Sequence, residues 1–408
     1  MSISPATAHV AQSAHVRSRS LRAGKSVLLL LVCGLLFAGG SFVGGLLLGQ
    51  HESALPQHGK PLSFYKGNSE ERVVPEPAQT LKGAIPGEFE HQAAIMIGAN
   101  EMLAYHPRTF IQMVAALYKK TKVMGLIWSE EQRTDAIALL KANKLPADAV
   151  DFYVWPSRSM WVRDYGPFFV MESKTGPAHI VDYAYIQPNR DYGALFSATF
   201  AGTFGYQFSR AELSFEGGNM LTNGDGLCVT TNVLFEQNLP RGYDEKQIGD
   251  ILGHDFQFTR WAHLKPLDGE PTHHADMFCT ICGTNQAVIG SYNPDEDPAN
   301  AAVLDDNAAT LAKNATSKGP MQVARIPMPD HRDGNWRTYT NVIYANGTIL
   351  VPQYGGGDVD RDKAALAVYR KLLPTWDVVA IDCSTLADKR GALHCISFNI
   401  PWLPEAAQ

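Results

Sequence analysis

Positive charge is scarce in this sequence. Lys and Arg number 35 against 41 Asp and Glu, a formal net charge of -6. Arg17, Arg19, Arg22 and Lys25 are the only charged side chains before residue 52, so the remainder carries 31 basic against 41 acidic groups, or -10. An acidic body of this kind excludes broad nucleic-acid binding, which needs clustered positive charge, and it suits a cationic substrate. Cysteine is sparse too. Six in 408 residues exclude a disulfide scaffold. A second Cys-x-x-Cys is missing, so Cys279-Thr280-Ile281-Cys282 lacks the four-ligand set of a structural zinc site. Its apolar, strand-like surroundings do not suit a redox pair at a helix start either, and core packing is the expected use of these thiols.

What is present begins with an apolar run. From Val27 to Leu48 no charge interrupts 22 residues of Leu, Val, Phe, Gly and Ala with one Ser and one Cys. As a helix it would span about 33 Å, enough for a bilayer core of about 30 Å. The basic residues before it and Glu52 after it predict a cytoplasmic N-terminus and an extracytoplasmic body, periplasmic or at the cell surface. A signal peptide has an apolar region of roughly 7–15 residues and a small-x-small cleavage site. This run is longer, and residues 49–54 offer no good site, so an uncleaved membrane anchor is expected over a secreted form. The expected organisation is a basic tail over 1–26, the anchor or signal segment over 27–48, a proline-containing linker over 49–84 with Pro56, Pro61, Pro75 and Pro77, and one catalytic domain over 85–408. Nothing in the sequence sets an oligomeric state.

The body has an α/β rhythm. Residues 93–98 and 123–128 predict buried strands, with helical spacing at Phe110, Met113, Val114 and Leu117 between them. Ser129 and Gln132 form a capping-box signature that opens a helix, and residues 150–155 return as a strand. Helices are expected over 245–252, 300–311 and 364–373, and strands over 378–381 and 393–396.

Three clusters carry chemical potential. Trp161-Val162-Arg163-Asp164-Tyr165-Gly166-Pro167 sets a carboxylate among aromatic residues before a turn. His273-His274-Ala275-Asp276 places an imidazole and a carboxylate two residues apart, on one side of an extended strand. Leu393-His394-Cys395-Ile396 places a thiol in an apolar strand. Each has a plain alternative: an Asp capping a turn, a surface loop, a core cysteine. Taken together they suit guanidinium chemistry. A planar, donor-rich cation in a dry pocket requires carboxylates, here Asp164 and Asp276. Its resonance-stabilised carbon requires a strong nucleophile such as the Cys395 thiolate, and departing ammonia requires a general acid, a role His274 fits.

These residues resemble a known family. Trp161 to Pro167, Glu216-Gly217-Gly218-Asn219, His274-Ala275-Asp276, Arg337-Thr338-Tyr339-Thr340-Asn341 and Leu393-His394-Cys395 occur in the order found in the guanidine-modifying, or pentein, superfamily. Within it the chain resembles the Porphyromonas-type bacterial peptidyl-arginine deiminases and their agmatine deiminase relatives, from Pro86-Gly87-Glu88-Phe89-Glu90 to Pro401. The resemblance implies an α/β propeller of five ββαβ-like modules around a pseudo-fivefold axis. It implies Cys395 as nucleophile, His274 as general acid/base, Asp164 and Asp276 as the guanidinium clamp, and Asn341 and Trp161 lining the substrate site. It also implies a covalent thiouronium intermediate, no cofactor and no metal.

The substrate is expected to be an arginine-containing peptide or a small guanidinium compound. Agmatine deiminases carry a Gly-Gly-Gly-Asn-Ile-His-Cys run where this chain reads Arg390-Gly391-Ala392-Leu393-His394-Cys395, which favours peptidyl- or free arginine over agmatine. The peptidyl branch can hold a C-terminal carboxylate with paired arginines, and here only Arg190, in Ile186-Gln187-Pro188-Asn189-Arg190, is available. Two rival readings are a cysteine protease, which has no use for two carboxylates and wants an oxyanion hole, and an inactive, membrane-tethered arginine-binding module.

Overall fold

The structure is a computed structural model that describes residues 81–157, 159–185 and 191–405. The tail, the apolar run of 27–48, most of the linker and Arg190 lie outside the described residues. Among the described residues no helix is long and apolar enough to cross a membrane.

One small pattern of strands occurs five times. An antiparallel hairpin is followed by a helical crossover to a third strand, which pairs parallel to the hairpin's second strand. The first such module is Phe168–Met171, Ala178–Ala184 and Gln207–Ser214, crossed by helix Asp191–Phe204. The second is Leu221–Thr222, Leu227–Thr231 and Arg260–Leu264. The third is Cys279–Gly283, Gln286–Ser291 and Gln322–Pro327, crossed by helix Pro298–Ala312. The fourth is Ile343–Ala345, Thr348–Gln353 and Asp377–Asp382, crossed by helix Val359–Leu372. The fifth joins the two ends of the described chain. Strand Ser397–Ile400 pairs antiparallel with Ala94–Ile97, opposing Ala94 to Ile400, and Lys122–Ile127 and Asp151–Val154 follow in parallel.

Local chemistry explains these elements. Helix Pro107–Leu117 begins with proline, whose missing N–H costs nothing there, and buries Phe110, Met113, Val114 and Leu117 along one face. Ser129 caps helix Glu130–Ala142 by accepting from the Gln132 N–H. The Gln132 side chain does not complete the capping box. Its oxygen accepts from the Trp128 N–H and its amide donates to the Asn100 carbonyl, so it ties two elements together. Ala84 bridges to Met171 by a pair of backbone hydrogen bonds, which secures the end of the expected linker to the first module.

Two expectations need correction. Residues 393–396 form a turn, and the last strand begins at Ser397. Residues 273–276 are not extended either: His274 caps a 3-10 turn, Ala275–Met277. In both places the expected strand is replaced by a tight turn just ahead of a strand, and that placement exposes functional groups at a strand's entrance.

Cys279 and Cys282 lie in one buried strand but join different apolar clusters, Cys279 with Leu264 and Ile289, Cys282 with Val288 and Tyr344. Their positions, three apart in a strand, point to opposite faces. Both are free thiols, and burial pushes both well above the ordinary thiol range.

Candidate active site

Each module contributes to one site from the segment just before its first strand. Asp164 lies in the short helix Val162–Tyr165, ahead of Phe168. Glu216 to Asn219 precede Leu221, and His274 to Asp276 precede Cys279. Asn341 precedes Ile343, and Cys395 precedes Ser397. The five segments touch in a circuit. A Cβ on Gly217 would lie 2.1 Å from the Arg163 carbonyl oxygen, so only glycine permits that approach. The Asn219 Oδ1 accepts from the Ala275 N–H at 3.1 Å. Thr340 Oγ1 donates to the Asp276 carbonyl at 3.0 Å, the Asn341 amide reaches Cys395, and the Arg163 N–H closes the circuit on the Cys395 carbonyl at 3.2 Å.

Packing fixes the turns. Tyr183 stacks on Phe215 with ring centroids 4.0 Å apart, inside an aromatic cluster with Phe168 and Phe256. Its hydroxyl donates to the Asp164 carbonyl at 2.6 Å and to that of Gly166 at 3.1 Å, holding the turn that carries Asp164. His273 adopts a left-handed backbone, φ 59°, immediately before His274. The fully buried Glu270 secures that strained residue by accepting from the N–H groups of Thr272 and His273.

The polar groups converge on Gly218. A Cβ there would lie 2.7 Å from His274 Nδ1, 3.0 Å from Asp276 Oδ2 and 3.1 Å from Asp164 Oδ1. Only a residue without a side chain lets an imidazole and two carboxylates meet this closely. His274 Nε2 is 2.9 Å from Glu216, and its Nδ1 is 3.7 Å from Asp164. Asp276 Oδ2 faces the Cys395 sulfur at 3.5 Å and His394 Nδ1 at 2.8 Å. Its other oxygen is buried, and among the described residues no donor reaches it. The Asn341 amide donates to Cys395 Sγ at 3.1 Å while its oxygen accepts from the N–H groups of Ala392 and Cys395, each at 3.1 Å.

The electrostatics are those of a site for a cation. Burial disfavours charge on His274, but the Glu216 hydrogen bond and the charges of Asp164 and Asp276 raise it to about 10, so it is an imidazolium at neutral pH. Burial, Asp276 and Asp164 together push the Cys395 thiol well above its ordinary range. Those carboxylates repel a thiolate until a positive charge lies between them. A bound guanidinium would supply that charge, lower the thiol pKa and place its carbon beside the sulfur. Asp164, Glu216 and His274 each offer a ligand atom, all within 4.8 Å of one another, a spacing that would also suit a metal ion. His274 would have to give up its proton to ligate a metal, whereas an organic cation needs only the carboxylates.

The structure brings Cys395, His274, Asp276 and Asp164 together. Trp161 is half-buried beside them: a Cβ on Gly391 would lie 2.6 Å from the Trp161 ring and 3.2 Å from the Cys395 Cβ. Asn341 is completely buried and holds the Cys395 turn and its sulfur. Arg190 lies outside the described residues. Sequence reasoning assigned no role to Glu216, Gly218, Glu88, Arg163 or His394, although all five sit in the quoted motifs. The available signal was a carboxylate joined directly to paired glycines, a combination that brings a charged group close to neighbouring backbone.

The Porphyromonas-type peptidyl-arginine deiminase family model matches residues 84–401. A protein of Vibrio parahaemolyticus, provisionally named an agmatine deiminase, is 20 % identical over 281 residues, covering 60 % of this chain and 76 % of that protein. The crystal structure of a provisionally named arginine deiminase from Porphyromonas gingivalis superposes with a TM-score of 0.67 at 23 % identity, covering 78 % of this chain and 98 % of the other. The agmatine deiminase of Enterococcus faecalis gives 0.66 at 19 % identity, covering 78 % and 95 %. The α/β fold is therefore of the pentein type. The chain belongs to the Porphyromonas-type peptidyl-arginine deiminase family, hydrolases that act on the C–N bonds of linear amidines.

Proposed function

We propose that this enzyme hydrolyses the guanidinium group of arginine, in a peptide or free, to citrulline and ammonia. The convergence of Cys395, His274, Asp164 and Asp276 around Gly218 carries this reading. Asp164 and Asp276 clamp the cation, and its charge allows Cys395 to ionise, the thiol proton passing to solvent. The thiolate attacks the guanidinium carbon. Ammonia leaves with a proton from His274, and a thiouronium remains on the sulfur. Water, losing a proton to His274, then adds to that carbon, and the C–S bond breaks to give the ureido product and the thiolate. The circuit of five entrance segments supports closure of the modules around a pseudo-fivefold axis, with this site at its centre.

Arg390 supports arginine over agmatine. It is exposed, it makes no ion pair among the described residues, and it adjoins the Gly391 that packs against Trp161 and Cys395. A cation at that edge would receive the carboxylate that arginine has and agmatine lacks. The apolar run of 27–48 supports a membrane tether that presents the site to extracytoplasmic peptides. The names of the curated relatives favour agmatine as the second reading. Ammonia release by the full chain, with Cys395→Ala as blank, tests both. Turnover of free arginine or of peptides with internal or C-terminal arginine supports the first, and turnover of agmatine alone overturns it.

A further inference from the structure

Behind the reacting groups lies a buried chain of alternating charge. His394 Nδ1 is 2.8 Å from Asp276 Oδ2, and its Nε2 is 3.2 Å from Glu88. Glu88 in turn pairs with Arg163 at 2.6 Å. The Arg163 side chain also donates to the His394 carbonyl and to Asn399 Oδ1, at 3.4 and 3.3 Å. A neutral imidazole has one N–H and could serve only one of the two carboxylates. With both nitrogens at hydrogen-bond distance from carboxylates, His394 must carry both protons. A cavity lined by Glu88, Arg163, Phe168, Met220 and Asn399 approaches this chain, and none of Asp164, Glu216, His274 or Cys395 lines it.

We propose that His394 is a positioning residue, an imidazolium wedge between Asp276 and Glu88 that fixes the Asp276 carboxylate beside Cys395 and compensates its charge. Glu88 and Arg163 hold the wedge from behind. The inference rests on the deiminase site described above. Asp276 Oδ2 meets both the wedge and Cys395, so the contact at 2.8 Å fixes the rotation of the carboxylate that faces the sulfur. The groups facing the wedge and Asp276 are Glu88, Arg163, Cys395, Asp164 and His274. Without the wedge's charge, the cluster of Asp276, Asp164 and Glu88 would lose a compensating cation, and the acidic limb of the site's pH profile would register that loss.

Chloroacetamidine, an amidinium alkylator of thiols, reads this directly because it needs an ionised clamp but no knowledge of the natural substrate. The rate of Cys395 labelling is followed against pH in the full chain, in His394→Gln and in Glu88→Gln, with peptide mapping and melting temperature alongside. The acidic limb should move upward by about one pH unit or more in His394→Gln. At neutral pH labelling should slow on the order of 10²-fold. Glu88→Gln, which keeps the imidazole in place, should shift the limb in the same direction by less. Normal labelling in the wild type with an unmoved limb in both variants overturns the proposal, even if both melt lower, because a purely structural role leaves the limb where it was. Absence of Cys395 labelling in the wild type overturns the site reading itself.

Discussion

His274 and His394 are both buried imidazoles set between two carboxylates. They differ in how tightly they are held. His394 has hydrogen-bond contacts at both nitrogens, 2.8 Å to Asp276 and 3.2 Å to Glu88. His274 has one close partner, Glu216 at 2.9 Å, and its other nitrogen is 3.7 Å from Asp164, beside Gly218. A proton donor must release its proton to the leaving group, so one nitrogen has to be loosely held and turned toward the substrate. A wedge should have neither nitrogen free. On the proposed mechanism, the same residue type serves two functions through one difference in contact geometry.

The largest effect should separate the two imidazoles. His274→Gln removes the acid and base of both half-reactions and should lower kcat roughly 10⁴-fold, against an expected kcat loss of about 10²-fold for His394→Gln, matching its slower Cys395 labelling. Steady-state ammonia release measures both, and equal losses would erase the distinction. Gly218→Ala crowds the point where His274, Asp276 and Asp164 meet. It should cost at least about 10²-fold in kcat/KM and lower the melting temperature as well, because the added Cβ would lie 2.7 Å from His274 Nδ1, and near-normal turnover would show that the substrate lies elsewhere.

Arg390→Ala moves away from both imidazoles and tests the edge of the site. It should lower kcat/KM for arginine about 10–100-fold and agmatine's by much less, since a charged hydrogen bond is worth about 1.5–3 kcal/mol. An unchanged ratio would remove Arg390 from recognition.

The smallest effect concerns stability against pH. His274 is raised from 6.5 to about 10 in the folded state, with burial opposing and Glu216 and the Asp charges favouring the imidazolium. Its stabilising contribution is complete below about 6.5 and is lost as pH rises through about 10. Glu88 is lowered from 4.5 to about 2, against its burial, by Arg163 and His394. Its contribution is complete above about 4.5 and is lost as pH falls through about 2. Thermal melts should show His274→Gln flattening the alkaline decline and Glu88→Gln the acidic one. Identical profiles in wild type and variants would contradict these assignments.

Much of this was legible in the sequence because chemistry and periodicity are local signals. Helix Pro107–Leu117 and helix Val359–Leu372 followed from apolar spacing, and the ordered motifs located Asp164, His274, Asp276 and Cys395. The turns at 273–276 and 393–396 were not legible, because an apolar stretch beside a short strand reads as strand when the circuit of neighbouring segments is unknown. The roles of Glu216, Glu88 and Arg163 depend on partners 58, 306 and 231 residues away in the chain. No window of sequence contains those contacts. The fivefold repetition was hidden for a related reason: its fifth module is assembled from both ends of the described chain.

The central claim is that Cys395 forms a covalent bond to a guanidinium carbon, and the most direct measurement is trapping that bond. The full chain would be mixed with its turned-over substrate, quenched in acid within the first turnovers and digested, and the Cys395 peptide would be weighed by mass spectrometry. The account predicts an adduct equal to substrate minus ammonia on Cys395, present in wild type and absent in Asp276→Asn. Ammonia release with no adduct at Cys395, or with the adduct on Cys228, Cys279, Cys282 or Cys383, would contradict it.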